Sequence, residues 1–152
     1  MSVKDIACTI NVELNHGWIP LRVVHSDMKM QNILWDYGHT KPVGILDLDS
    51  VMSGTLCFDY GDLMRSVRKG VAPSDVNNIQ RAIHDGFVEA ASSILTEREK
   101  ELLNISEFCV STELALRYLT DYIAGDLYFK RVKPDDNIRC CRELINIIYH
   151  EL

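Results

Sequence analysis

Several common signatures are missing from this sequence, and each absence removes a class of function. There is no run of about 18 apolar residues, and Met1 to Asn15 lack the basic flank and long apolar segment of a secretory leader. Neither membrane spanning nor secretion is therefore expected, and the cytoplasm is the expected location. Basic residues are outnumbered: 16 Lys and Arg against 22 Asp and Glu leave a formal charge of −6, which repels polyanions and gives nucleic acid no electrostatic footprint. The five cysteines (Cys8, Cys57, Cys109, Cys140 and Cys141) include no CxxC pair and no Cys/His spacing of a structural zinc site. They read as buried thiols of a reducing compartment, with Cys57 a packing residue. Internal repeats and low-complexity segments are also lacking. What remains is a chain of 152 residues, 47% hydrophobic and 25% charged, an ordinary globular composition with enough length for one core and one domain, residues 1–152.

Along the chain, a β unit is expected first and a helical body second. Residues 1–20 read as the end of a helix closed by Gly17 and Pro20. Leu21 to Val24, Ile33 to Trp35 and Val43 to Leu46 have strand length and Val/Ile/Leu content, with Tyr37-Gly38-His39 as hairpin turn chemistry. From Phe58 onward the periodicity is helical. Leu63 to Val67 form one segment, and Ser74 is expected to cap a second carrying Ile79, Ile83 and Phe87. Thr96 and Glu99 match a capping box, a long helical stretch from about Ile105 carries Leu114, Tyr118 and Tyr122, and a last helix from about Ile138 carries Leu144, Ile145 and Ile148 beyond Pro134.

The chemistry is concentrated in VVHSDMKMQNILWD, where His25, Asp27 and Asn32 stand in a loop between two apolar strands that would otherwise make a plain hairpin. The third strand delivers Asp47, twenty residues after Asp27, a separation at which one hairpin brings both carboxylates to the same edge. Phosphoryl transfer asks for a carboxylate that orients and deprotonates a hydroxyl and for hard oxygen ligands to Mg²⁺. Asp27 fits the first role and Asn32 and Asp47 the second, while His25 reads as a brace. The simpler reading of His25, Asp27 and Asn32 is a polar turn with Asx-type hydrogen bonds.

HSDMKMQN together with ILDLDS resembles the HxDxxxxN and strand-borne Asp of the aminoglycoside phosphotransferase and choline kinase superfamily. LDLDSVMSG followed by FDYGDLMRS, and LRYLTDYIAGDLYFK with DNIR, are similar to its N-acetylhexosamine 1-kinase branch over most of residues 20–150. The resemblance implies an α+β, mostly helical C-terminal lobe of the protein-kinase-like fold, with ATP as co-substrate, Mg²⁺ as cofactor and a sugar as acceptor. It implies Asp27 as base with His25 beside it, and Asn32 and Asp47 as ligands of the metal and nucleotide. Arg117, Tyr128 and Asp121 are implied as sugar contacts, Asp49 as support, and Asp59 as the buried helix-start aspartate that holds the loop. By spacing alone, Arg117, Asp121, Tyr122 and Tyr128 read as core packing or surface ion pairs, and Lys29 as a solvated lysine within reach of a phosphate. The branch usually has His where Asp136 precedes Asn137. This chain also begins after the point where the family's nucleotide lobe would end, so its surface there is expected to meet a partner or a second copy.

Two other functions fit parts of the sequence. One is a kinase remnant that binds a sugar or a partner and transfers nothing. The other is a phosphatase of the haloacid-dehalogenase type, since ILDLDSV resembles its DxDx(T/V) nucleophile motif. That fold requires further parallel strands after the motif, where this sequence turns helical.

Overall fold

A computed structural model describes residues 2–68, 71–130 and 133–150. The β unit precedes the helical body as expected, with four strands where three are expected: helix α1 (Val3–Asn15), strands β1 (Arg22–Val24), β2 (Ile33–Trp35), β3 (Pro42–Ile45) and β4 (Met52–Gly54), then α2 (Leu56–Val67), α3 (Pro73–Ala90), α4 (Glu97–Ile123) and α5 (Asp136–His150). The mixture of helices with two small antiparallel sheets is compatible with the α+β class expected.

Helix α1 is capped at both of its described ends. Ser2 and Asp5 form a reciprocal capping box at its start. At its end the N–H of Gly17 donates to the Leu14 carbonyl and that of Trp18 to the Glu13 carbonyl, with Gly17 at φ 70°, a Schellman closure.

The strands pair differently from the expected plain hairpin across the polar loop. β1 pairs not with β2 but with β4, a strand of Met, Ser and Gly that carries no apolar run, with Val23 opposite Ser53. β2 and β3 form the expected hairpin, Ile33 opposite Ile45, with a register shift at Leu34/Trp35. Thus two separate ribbons flank residues 25–32 on one side and Asp47 on the other.

The core lies among the helices, around Ile10, Cys57, Leu103, Phe108, Cys141 and Ile148. α2 crosses α4 with almost no space: a Cβ on Gly61 would sit 2.5 Å from the Ser106 carbonyl oxygen, so only glycine permits this approach. α4 is one continuous 27-residue helix from the Thr96–Glu99 capping box onward, not two segments. α3 begins at Pro73 with Ala72 in the cap position, and Ser74, expected there, instead bonds the Asp75 carboxylate. Pro73 fills a first-turn site whose N–H would have no helical partner, which outweighs the capping preference of Ser74. On α5, Leu144 and Ile148 face the core and Ile145 turns outward. Of the thiols, Cys57, Cys109 and Cys141 are buried, Cys140 is half-buried, and Cys8 is exposed, contrary to expectation.

Candidate active site

The polar loop is fixed from below by α2. Thr55 caps that helix, and in its first turn the buried carboxylate of Asp59 accepts the backbone N–H of His25 and of Ser26, each at 2.8 Å. Ser26 is in the left-handed region at φ 63°, so the chain leaves β1 by a sharp turn that carries it to Asp27. Further on, the Met30 N–H donates to Ser66 Oγ at 2.9 Å, a second tie to α2 that nothing in the sequence signals.

His25 links the two ribbons. Its Nε2–H donates to the Leu46 carbonyl at 2.8 Å, and its own carbonyl accepts from Ser50 Oγ at 2.7 Å. The hairpin closes the arrangement: the Leu46 N–H donates to the Asn32 carbonyl at 2.8 Å, so Asn32 just before β2 and Asp47 just after β3 are neighbours. Asn32 is buried and gives its amide nitrogen to the Asp27 carbonyl at 2.8 Å and to Asp27 Oδ2 at 3.2 Å, with Asp47 Oδ2 at 3.5 Å. Lys29 Nζ also sits on Asp27 Oδ2, at 2.5 Å. Asp27, Asn32 and Asp47 therefore come together with Lys29 at one edge. Asp47 itself is exposed and left-handed at φ 66°, and Asp49 is exposed in the 3₁₀ turn Leu48–Ser50.

Beneath the loop, Asp62 of α2 pairs with Arg65 at 2.6 Å. Burial pushes the Asp62 carboxyl up from its ordinary range, Arg65 opposes this, and the charges of Asp27 and Asp59 add to it. The spacing of Asp62 and Arg65 on one helix face is the only sequence signal for this pair.

Arg117, Asp121 and Tyr128 are gathered in a second place. A cleft of about 530 Å³ lies between the end of α4 and the turn after it, lined by Glu113, Arg117, Thr120, Tyr128 and Phe129 among others. The Arg117 guanidinium stands over the Phe129 and Tyr128 rings at 5.6 and 5.8 Å. Asp121 borders the cleft but is buried, accepting the N–H groups of Leu127 and Tyr128 at 2.8 Å, that of Phe129 at 3.0 Å, and the Asn137 amide at 2.7 Å. Burial opposes ionisation, yet these donors together hold its carboxyl below the usual carboxylate range. Asn137, whose only sequence signal is the DNIR segment, also bonds Asp126 at 2.7 Å. Asp136 stands beside it at the start of α5 and accepts the Lys133 N–H at 2.8 Å. Tyr122 is 38% exposed.

The profile of the phosphotransferase enzyme family matches residues 13–93, just over half of the chain. The chain belongs to the phosphotransferase enzyme family. The matched stretch holds both ribbons, the 25–32 loop, Asp47 and Asp59, and ends before α4, so Arg117, Asp121 and Tyr128 lie outside it. A kinase-type transferase is the activity class that goes with this family. The phosphatase alternative needs a parallel sheet, whereas both sheets among the described residues are antiparallel pairs. Among the described residues, no helix is long and apolar enough to cross a membrane.

Proposed function

We propose that the chain transfers the γ-phosphoryl group of ATP to a sugar hydroxyl, the anomeric one of an N-acetylhexosamine or related hexose. The observation that carries this reading is the convergence of Asp27, Asn32 and Asp47 on a loop suspended from Asp59. Asp27 orients the acceptor hydroxyl and takes its proton as the new oxygen–phosphorus bond forms and the bond to the ADP oxygen breaks. His25 takes no proton in this scheme. It holds Leu46, and through it Asp47, against the loop.

The donor set suits Mg²⁺. Among the described residues there is no group of three or more His, Cys, Asp or Glu side chains that could hold a metal, but Mg²⁺ commonly uses one or two protein oxygens and completes its shell with phosphates and water. Asn32 commits its amide nitrogen to Asp27, which leaves its side-chain oxygen, with the exposed Asp47 carboxylate, as the ligands. The bound ion would neutralise charge on the transferring phosphates.

At the acceptor end, Arg117 and Tyr128 contact the sugar, and Asp121 acts indirectly by holding the backbone of residues 127–129 in place. Asp49 supports the Asp47 turn. Lys29 screens Asp27 until a phosphate oxygen competes for it.

The test is phosphoryl transfer from radiolabelled Mg²⁺-ATP to N-acetylglucosamine, N-acetylgalactosamine, glucose and choline, with wild type and Asp27→Asn. Transfer to a sugar that disappears in the variant, with its unfolding midpoint retained, is expected. Retained transfer in the variant would rule out Asp27 as base, and transfer to choline alone would rule out the sugar.

One observation favours a second reading, a lobe that binds rather than transfers and works against a covering surface. Val23 is 80% exposed, Leu48 60% and Met52 59%, large apolar side chains left open on the β1–β4 ribbon and the turn that leads into it. Sedimentation over a concentration range reads this directly: association through the ribbons supports it, and a monomer at all concentrations counts against it.

A further inference from the structure

Helix α2 carries Asp59, Asp62 and Ser66 at spacings of three and four residues, so the three lie one above another on a single face over two turns, about 10 Å. The polar loop is laid along that face. Asp59 takes its entrance, accepting the N–H groups of His25 and Ser26 at 2.8 Å. Asp62 lies within the field of the Asp27 charge. Ser66, two turns beyond Asp59, takes the far side of the loop by accepting the Met30 N–H at 2.9 Å.

Met30 opens the 3₁₀ turn Met30–Asn32, which ends on Asn32. Lys29 stands in the cap position and gives this turn no side-chain bond, because its ammonium lies on Asp27 instead. The Asn32 N–H closes the turn on the Lys29 carbonyl at 2.8 Å, while the Met30 N–H, in the first turn, has no acceptor there. Ser66 therefore supplies, from a separate helix, the cap that the loop does not carry. What it steadies is the residue two positions on, whose amide nitrogen meets the Asp27 carbonyl at 2.8 Å and Asp27 Oδ2 at 3.2 Å.

For α2 alone, serine is a poor choice at position 66. Alanine is the better helix former, since a serine hydroxyl competes for backbone carbonyls, and Ser66 Oγ does so, donating to the Leu63 carbonyl at 2.8 Å. With its proton committed to Leu63, the oxygen faces Met30 as an acceptor only. Ser66 is 2% exposed, so alanine would fit without a clash and would leave the Met30 N–H without its partner.

We propose that Ser66 is a positioning residue for phosphoryl transfer: acting through the Met30 N–H, its hydroxyl fixes the turn that aims Asn32 at the metal and at Asp27. This rests on the kinase reading and adds a residue to its machinery. Arg117 and Tyr128, on α4 and the turn after it, take no bond from Ser66, so acceptor affinity is not its concern.

The experiment compares wild type, Ser66→Ala and Ser106→Ala in transfer from Mg²⁺-ATP to a sugar. Ser106 is a control, a fully buried helix serine whose hydroxyl bonds the Leu102 carbonyl of its own helix. In Ser66→Ala, kcat is expected to fall about tenfold and the Mg²⁺ concentration for half-maximal transfer to rise, with the acceptor KM within about twofold of wild type. Ser106→Ala should keep wild-type values of all three. Hydrogen exchange at Met30 and Asn32 should quicken in Ser66→Ala while His25 and Ser26, held by Asp59, stay slow. Wild-type kcat and Mg²⁺ dependence in Ser66→Ala overturn the proposal. So does an acceptor KM that rises in step with the fall in kcat, or an equal loss in Ser106→Ala, either of which would mark a general loosening of the helices. If wild type transfers to no acceptor, the kinase reading falls by itself, and the Asn32 side-chain amide is then followed by ¹H–¹⁵N NMR during titration with Mg²⁺-ATP. A response weakened in Ser66→Ala supports the role of Ser66, and an unchanged one overturns it.

Discussion

Asp59 holds the backbone of His25 from a position 34 residues further along the chain, its Oδ2 accepting the His25 N–H at 2.8 Å while Oδ1 accepts that of Ser26. One carboxylate thus satisfies two consecutive donors at a left-handed turn that has no strand or helix to satisfy them. Asp59→Ala should leave both donors open and destabilise the fold by about 3 kcal/mol. Urea unfolding reads the loss, and a change below about 0.5 kcal/mol would show that the tie is dispensable.

Asp47→Ala should act on metal dependence rather than on folding, because the side chain is exposed. The Mg²⁺ concentration for half-maximal transfer is expected to rise about tenfold, since the variant keeps only Asn32 as a ligand. An unchanged Mg²⁺ curve removes Asp47 from the ligand set.

Gly61→Ala places a methyl group 2.5 Å from the Ser106 carbonyl oxygen and 2.7 Å from Val110 Cγ2. Helices α2 and α4 must then separate, at about 2 kcal/mol or more. Because α2 carries Asp59, Asp62 and Ser66, transfer should fall along with stability. A fully active, fully stable variant would show that the crossing has slack.

Arg22 on β1 reaches the fully buried Glu99 at 2.9 Å through Nη2 and at 3.2 Å through Nε, and Glu99 also closes the capping box of α4. Burial works against the Glu99 charge, but the bonds from Arg22 and Thr96 outweigh it and hold its carboxyl low. Glu99→Ala removes the reciprocal half of the capping box and takes the carboxylate from Arg22, which keeps only the Ile94 carbonyl, an expected loss of about 3 kcal/mol. Hydrogen exchange should then quicken in β1 and β4 before it does so in α5. Uniform exchange across both would contradict this coupling.

The Asp121 corner should be acid-labile. Its folded carboxyl titrates below the ordinary value of 3.8, so its stabilising effect is complete above that value and is lost as pH falls through the lower folded pKa. Amide signals of Leu127, Tyr128 and Phe129 should move together in that acid range, and Asn137→Ala should bring the transition to higher pH. Independent movement of the three would mean that Asp121 does not unite them.

The parts of this architecture legible in sequence are those set by neighbouring residues. Thr96 and Glu99 announce the start of α4, and Tyr37-Gly38-His39 announces the β2–β3 hairpin, because capping and turn chemistry act over a few positions. Partners far apart are not announced. β4 pairs with β1 across the whole loop region, and Met52-Ser53-Gly54 has none of the alternation that marks a strand. α4 reads as broken because Ser106 and Ser111 are buried polar residues that blur its apolar stripe, yet Ser106 Oγ simply returns a bond to the Leu102 carbonyl within the helix. At the site, Asp27, Asn32 and Asp47 are recognisable by spacing, while the tie from the Met30 N–H to Ser66 Oγ exists only once the loop is packed on α2.

Ser26 and Asp47 both hold left-handed backbone, a conformation in which glycine is relaxed by about 1 kcal/mol relative to a residue with a Cβ. Heat and turnover therefore select different residues at position 47. A mutant library sorted by survival of heating should enrich glycine or asparagine there, and the same library sorted by transfer should return aspartate. Where the two sorts disagree, the chain is keeping a residue that its own folding would discard.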